Sequence, residues 1–467
     1  MTPQELVERA LRLVTSDSAV VLVHERSQAN LRWAGNTLTT NGVMRGTRVT
    51  VASVDERSTG AAVGVVSRNV SEADELESLV AAADTAARAA QPAPDAAPLD
   101  SAGTAADWDA AAAETSAEVF SGFAPDLARA FGAAGAATRE LFGFAEHMVD
   151  TTFLATSAGA TRRHVQPTGR LEMTGKADGR RRSSWVGRYT TDFSDIDVVE
   201  LDAELGRRLA WEDRQVSVAP GRYDVVLPPT AVSDLLIYLY WSMAARDAAE
   251  GRTVFSRAGG GTRIGDELSP TAVQLFSDPS RAGVSCEPFV AAQSSSSMMS
   301  VFDNGLPVSR TDWIRDGVLT NLITTRHSAR ETGLSFTPPI DNLVLEVDPA
   351  ADGGTALGTG SLDDVVGRTE RGLLLTTLWY IREVDPQSLL LTGLTRDGVY
   401  VVEDGQVVGA ANNFRFNDSP IDLLRRIDDA GAPEVALPRE WSDYFSRCSM
   451  PALRVRDFNM STVSQAS

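Results

Sequence analysis

The residues able to do chemistry are dispersed along the chain. There are four histidines: His24, His147, His164 and His327. His24-Glu25 opens like the zinc motif H-E-x-x-H, but position 28 is Gln. The pair also sits in an alternating apolar run that reads as a strand, where neighbouring side chains point to opposite faces. Glu146-His147 is followed by Met148-Val149-Asp150-Thr151 and has no second imidazole. The two cysteines, Cys286 and Cys448, are too far apart in sequence for a C-x-x-C site or a disulfide framework. No base lies near Cys448 in sequence, so a plain free thiol is expected. Ser294 to Ser297 lies in AAQSSSSMMSVFDNG, which reads as a flexible loop and lacks the G-x-S-x-G elbow. Gly259-Gly260-Gly261 lacks the Gly-Lys-Ser/Thr ending of a phosphate cradle, and Asp266 and Glu267 follow it. Arg180-Arg181-Arg182 beside Arg162-Arg163 is the one local basic cluster. It reads as a solvated hairpin end, with a phosphate or partner contact as the alternative. Carboxylates are plentiful, but no spacing singles out an acid/base pair. The residues alone define no active site.

Composition narrows the class. The 467 residues suffice for two or three domains with a large core. Lys and Arg number 43 against 63 Asp and Glu, a net charge of −20 that disfavours nucleic acid and anionic lipid as partners. No apolar run reaches the ~18 residues of a membrane span. The opening MTPQELVERALRLV lacks the layout of a signal peptide, so a cytoplasmic protein is expected.

The elements follow from periodicity and punctuation. Thr2-Pro3-Gln4-Glu5 is a capping box opening a first helix. Ala19 to Glu25 and Ala29 to Ala34 read as strands, and Gly35-Asn36 turns the second into Thr37 to Thr40. Thr47 to Val54 and Ala61 to Ser67 form a further pair. A helix capped by Ser71 to Asp74 runs over 72–90, and Pro92, Pro94 and Pro98 end it. Beyond this stretch come a helix over 115–134, strands over 139–155, 163–172 and 185–190, and a helix over 197–212. The apolar stripe of Leu227 to Gly251 predicts one long helix, buried nearly all round and central to the fold. It carries no His and no Cys. Asp-Gly turns at 316–317, 397–398 and 404–405 predict hairpins, the last two in a meander through 389–394, 399–402 and 407–408. A short helix over 420–429 and a strand over 450–455 close the chain. The fold class is α+β: N-terminal helix-plus-antiparallel-sheet units, then a C-terminal domain with a central buried helix and an antiparallel meander. The expected boundaries are 1–98, 99–218 and 219–467, the middle segment completing the N-terminal lobe.

The ordered set of residues resembles a known family. Val301 to Leu334, VFDNGLPVSRTDWIRDGVLTNLITTRHSARETGL, is similar to the C-terminal half of the TldD/PmbA proteins. Gly372 to Leu394, Arg396-Asp397-Gly398-Val399, Asn412-Asn413-Phe414 and Pro451 to Val455 continue the resemblance. Leu31 to Gly46 looks like the family's opening sheet. In that family, paired subunits form a cytoplasmic zinc peptidase acting on unfolded or small peptides. The catalytic subunit carries H-E-x-x-x-H on the helix corresponding to 235–246 here, plus a C-terminal Cys ligand. This chain has Ile237, Tyr238, Leu239, Tyr240, Trp241 and Ser242 in that window. Cys448 would be the relic of the third ligand, though its spacing to the last strand is shorter.

The resemblance therefore implies a TldE/PmbA-type subunit, itself without metal, that pairs with a zinc-bearing TldD-type catalytic partner. It would wall the partner's chamber and help bind extended or unfolded peptides. Tyr240, Trp241, Asn412 and Asn413 are the candidate cleft residues, with a turn or capping role as the alternative for the asparagines. Two other readings stay open: a metal-free enzyme in its own right, for which Cys448, His327 and Glu146 are the residues to test, and a regulatory protein-binding module.

Overall fold

The computed structural model describes residues 1–70, 72–348 and 357–464. The Ser71 cap lies outside them. The N-terminal lobe is one antiparallel sheet in the order β3-β2-β1-β4-β5-β6. Its strands are β1 (Ser18–Trp33), β2 (Leu38–Asp55), β3 (Ala62–Asn69), β4 (Glu140–Thr156), β5 (Thr161–Ala177) and β6 (Arg182–Thr190). The two short runs expected at 19–34 merge into β1, because it is paired to β2 throughout and to β4 from Val20 on. Four helices cover one face: α1 (Pro3–Leu13), α2 (Ala73–Ala89), α3 (Ala124–Ala136) and α4 (Val198–Trp211). The capping box at Thr2 is present, with Glu5 N donating to Thr2 Oγ1. The helix expected over 115–134 is shorter; a 3-10 turn, Ala117–Phe120, precedes α3.

Pleating sorts the two sheet faces by parity. Odd-numbered Val21, Val23, Val51 and Phe153 pack on α1 and α2, while Ala29, Leu31, Leu141 and Leu171 pack with α3 and α4. Even-numbered residues form the other face. Val20, Leu22, Ala52 and Leu154 bury against Phe289, Val290, Val301 and Phe302 of the C-terminal part. Further along, the same face turns polar at His24, Arg26, Asp150, His164 and Arg170. The arginine runs of the expected basic cluster do not meet. Arg162 and Arg163 start β5, and Arg180 to Arg182 lie at its far end. All five pair with carboxylates: Asp100, Asp107, Glu140, Asp178 and Asp213.

The C-terminal part has two sheets around one helix. Its elements in order are β7 (Gln215–Val216), β8 (Gly221–Leu227), α5 (Pro229–Trp241), α6 (Ala245–Ala249), β9 (Val273–Ser277), β10 (Thr311–Arg315), β11 (Val318–Leu319), α7 (Arg326–Thr332), β12 (Leu343–Val347) and α8 (Leu362–Gly367). They continue through β13 (Arg371–Leu375), β14 (Leu378–Asp385), β15 (Leu390–Thr395), β16 (Val399–Glu403), β17 (Gln406–Ala411), β18 (Phe414–Asp418), α9 (Pro420–Leu424), β19 (Ile427–Ala430), β20 (Glu434–Ala436), β21 (Cys448–Met450) and β22 (Leu453–Val463). A six-stranded sheet runs β11-β10-β9-β12-β21-β20. A ten-stranded sheet runs β14-β15-β18-β22-β8-β13-β16-β17-β7, with β19 paired to β22.

Helix α5 packs with β8, β20, β21 and α9. Val232, Leu235, Leu236, Ile237, Leu239 and Tyr240 are all buried, as its continuous apolar circumference requires. The single helix expected to Gly251 is interrupted after Trp241. Met243 O accepts from Ile323 N and Ala245 N donates to Ile323 O, both at 2.8 Å. Ala244 is thereby held extended, at φ −62° and ψ 118°. A neighbouring segment outcompetes the intrahelical bonds. Three further expectations change. The helix expected over 420–429 stops at Leu424, and Ile427–Ala430 is strand β19 because it pairs with β22. Asp397-Gly398 does not join paired strands, because β15 pairs with β14 and β18 while β16 pairs with β13 and β17. Only Asp404-Gly405 closes a hairpin of the expected meander. The late strand is split at Pro451, which lies between β21 and β22.

Candidate functional site: an aromatic cleft beside the central helix

The site begins where α5 ends. Tyr238 and Trp241 emerge from the buried helix and meet Trp441, with ring centroids 5.7 and 5.1 Å away. Trp441 belongs to the segment 437–447, which α5 itself fastens. The fully buried Asp234 carboxylate accepts from Glu440 N at 2.9 Å and Arg439 N at 3.3 Å, and its carbonyl accepts from Trp441 Nε1 at 2.8 Å. Burial pushes the Asp234 carboxyl well above its ordinary range, while the two backbone donors oppose the shift.

The next residue of that segment shapes the edge of the large sheet. Glu440 accepts from Tyr380 N at 3.1 Å, from Ile381 N at 3.2 Å and from Arg382 Nη1 at 2.9 Å. These bonds sit at a register shift in β14 between Trp379 and Arg382. Tyr380 there takes φ +51°, a conformation that costs a bulky residue about 1–3 kcal/mol. The bulge turns its ring outward, 54% exposed, with Trp379 at 5.8 Å in an edge contact. Arg439 lies over Trp379 at 5.2 Å and over Trp185 at 4.5 Å. Trp241, Trp379, Tyr380, Trp441 and Tyr444 together line a hollow of about 510 Å³. Tyr444 is 77% exposed and carries the ring surface to the edge of the hollow.

Further hollows adjoin this one through shared wall residues, and the cleft is the series they form. Trp241 also walls a neighbouring hollow of about 390 Å³ with Tyr238, Asp247 and Arg252. On the other side Tyr444 borders a polar chamber of about 250 Å³ between the even face of the N-terminal sheet and the C-terminal part. His24, Arg26 and Asp150 continue it into a hollow of about 500 Å³ toward Arg45 and Arg48. The cleft thus passes from charged to aromatic walls along both parts of the chain.

The sequence candidates distribute unevenly over this geometry. Trp241 lines the cleft. Tyr240 points the other way and is 2% exposed, its hydroxyl donating to Ile340 O at 3.0 Å and accepting from Ile340 N at 2.8 Å. Asn412 accepts from Val218 N at 2.9 Å, beside the β17–β7 edge. Asn413 accepts from the Thr395 hydroxyl at 3.3 Å and through its carbonyl from Ser464 N at 2.8 Å. Trp379, Tyr380, Trp441 and Tyr444 were not singled out from sequence. The density of rings in Trp379-Tyr380 and in 441–445 is the signal that could have found them.

The remaining reactive residues are held in place. Cys448 is fully buried against α5, its thiol pushed up by burial, with Ser233 and Asp234 as neighbours. Burial pushes the Cys286 thiol to about 12. His147 bonds Thr115 Oγ1 at 2.6 Å and Thr191 O at 2.8 Å. His327 faces Glu331 at 3.1 Å. Glu146 pairs with Arg170 at 3.0 Å. A zinc ion at α5 would need imidazoles or carboxylates beside Cys448. The helix offers only Ser233 and Asp234 there, and the Asp234 oxygens already serve two backbone donors. No group of three His, Cys, Asp or Glu able to hold a metal occurs among the described residues. The residues do not fit that ion.

Comparison with known proteins settles the lineage. Residues 220–462 match the PmbA/TldA metallopeptidase C-terminal domain, more than half of the chain. The chain belongs to the TldD/PmbA family. Three solved structures share the fold of this family member over 98% of its chain and 99% of theirs. They are TldE from Thermococcus kodakarensis (14% identity, TM-score 0.77), a putative modulator of a DNA gyrase from Thermotoga maritima (16%, 0.75) and a putative modulator of DNA gyrase from Bacteroides thetaiotaomicron (14%, 0.74). No curated protein matches. The α+β class of the TldD/PmbA chain is as expected from sequence, and no described helix is long and apolar enough to cross a membrane.

Proposed function

We propose that this chain is the non-catalytic subunit of a heteromeric TldD/TldE-type zinc peptidase, walling the partner's chamber and holding extended or unfolded peptide in the aromatic cleft. The observation that carries the reading is α5. The helix on which family resemblance puts H-E-x-x-x-H is instead filled by Ile237, Tyr238, Leu239, Tyr240 and Trp241, and its Cys448 neighbour is a buried thiol. The cleft adds support. Its exposed rings and mixed charges suit a chain of varied side chains, bound through apolar contact and backbone hydrogen bonds. Zinc belongs to the TldD-type partner in this reading, the complex works in the cytoplasm, and neither nucleic acid nor membrane is a partner. Peptide cleavage and bound zinc, measured on the purified chain and on the chain co-expressed with a TldD-type protein, test it. The chain alone is expected to be zinc-free and inert, and the complex active with about one zinc per pair. Cleavage by the chain alone would refute the reading.

A further inference from the structure

The polar chamber beyond Tyr444 contains an imbalance that the aromatic cleft does not explain. Pleating and register bring one row of side chains to its floor. His24 lies opposite Thr152, and Thr152 lies opposite His164. Directly paired residues have Cβ atoms about 5 Å apart, so the Thr152 hydroxyl sits between two imidazoles. Glu287 comes over this row from the C-terminal part, with Thr152 as its polar neighbour. The charges around it pair off: Arg26 with Asp150 at 2.7 Å, Arg170 with Asp443 at 2.6 Å, and Arg447 with Asp341. Glu287 makes no ion pair among the described residues; Arg447 acts on it from beyond pairing distance and has a buried Nε without a partner of its own. Glu287 Oε1 is shut off from solvent and has no hydrogen-bond partner among the described residues, and neither does His24 Nδ1 across the row. A buried acceptor left unmade is costly, and a carboxylate is the costliest case.

The geometry points to a binding site for a primary ammonium group, with Glu287 Oε1 as its anionic acceptor and His24 Nδ1 as a second acceptor. An ammonium supplies three donors and one positive charge, which suits two unmet acceptors and a carboxylate without an ion pair. The group can come from a peptide's N-terminus or from a lysine side chain. As a binding pocket on the cleft the inference rests on the peptide reading above. As an amine site it stands by itself. Burial raises Glu287 to about 7; Thr152 and Arg447 oppose the shift, and Asp341 and Asp150 add to it. Burial holds His24 and His164 below the usual histidine value, so they face Glu287 as neutral rings near pH 7.

The test titrates the full chain by calorimetry with glycinamide, which bears an α-ammonium and no carboxylate, and with butylammonium as the lysine stand-in. N-acetylglycinamide is the uncharged control. Saturable binding of an amine and none of the control is expected. Glycinamide affinity should be bell-shaped in pH, rising as Glu287 ionises near 7 and falling as the ligand loses its proton at about 7.7–8.0. Butylammonium should instead hold its affinity to about pH 10, and whichever amine binds more tightly at neutral pH identifies the source. Glu287→Gln, nearly isosteric, should weaken binding about tenfold or more and remove the rise near pH 7. Should that variant not fold, the wild-type pH profile decides. The inference is overturned if neither amine binds saturably, or if affinity is flat from pH 5 to 8 or unchanged in Glu287→Gln. A parallel titration with a tetrapeptide, free and N-acetylated, separates the two readings. Amines that bind while both peptides fail would sink the peptide cleft and leave the ammonium site standing. Peptides that bind equally well while both amines fail would do the reverse.

Discussion

Replacing Glu440 by Ala should loosen the aromatic cleft without unfolding the chain. The carboxylate makes two bonds to the backbone of the β14 bulge, at 3.1 and 3.2 Å, and one to Arg382 at 2.9 Å. Hydrogen bonds to a charged group contribute about 1.5–3 kcal/mol each when buried. Tyr380 is 54% exposed, so water can reach its freed amide and about 1 kcal/mol is the better figure there, whereas Ile381 is fully buried and its bond keeps about 1.5 kcal/mol. The Arg382 side chain is 62% exposed, and its ion pair adds only about 0.5 kcal/mol. The local loss is thus about 3 kcal/mol, or roughly 160-fold in a local opening equilibrium. Native-state hydrogen exchange reads that quantity directly and needs no assumption of two-state unfolding for so long a chain. Protection of the Tyr380 and Ile381 amides should fall about 160-fold in Glu440→Ala, and by less in Glu440→Gln, which keeps an acceptor oxygen. Amides of β8 and β22 should be unaffected. A change below about threefold at Tyr380 and Ile381 would refute the argument, because the bulge would then be held by something other than this carboxylate.

Other consequences are as direct. Tyr240→Phe should cost about 1–3 kcal/mol, measured by urea unfolding, because both Ile340 N and Ile340 O lose their partner in a fully buried place. Thiol reagents should leave Cys286 and Cys448 unmodified in the native chain and label both in urea, since burial raises both thiols far from the reactive range. Glu287 has its folded pKa raised from 4.5 to about 7, so the wild type should lose stability relative to Glu287→Gln as pH climbs through that window. A flat difference between the two melting temperatures from pH 4.5 to 7.5 would contradict this. Tyr444→Ala, at a residue 77% exposed, should leave stability within about 0.5 kcal/mol and weaken binding of an extended peptide in a fluorescence titration.

How far the sequence could be read depends on where each determinant lies. Local determinants were legible. The Thr2 capping box, the strands of the N-terminal sheet, the Asp404-Gly405 hairpin and the buried circumference of α5 follow from periodicity and turn chemistry. Determinants set by distant partners were not. Residues 230–250 contain no Pro or Gly to stop a helix, and it is the bonds from Ile323 that interrupt it at Ala244. The polar face of the sheet was hidden for a different reason. Val20 and Leu22 share the parity of His24 and Arg26, so the strand reads as mixed until the 289–302 segment is seen to cover only its first part. Tyr380 was hidden too, since no local pattern announces a left-handed tyrosine fixed by a carboxylate 60 residues away.

The segment from Arg439 to Arg447 joins these parts. Its backbone is fastened to Asp234 of α5, Glu440 fixes the bulge, Trp441 and Tyr444 form cleft walls, and Arg447 closes the polar chamber by pairing with Asp341. Cys448 follows at once and enters β21, paired to β12 in the interior. One short stretch of backbone therefore sets the spacing between the aromatic hollow and the chamber, and both its ends are buried. A ligand spanning the two hollows would meet walls already in place, so little ordering cost would offset its contacts. A helix carrying metal ligands must keep polar side chains and a water site open to solvent. Here the circumference of α5 is apolar and buried, and its one carboxylate, Asp234, anchors the segment on which the cleft is built.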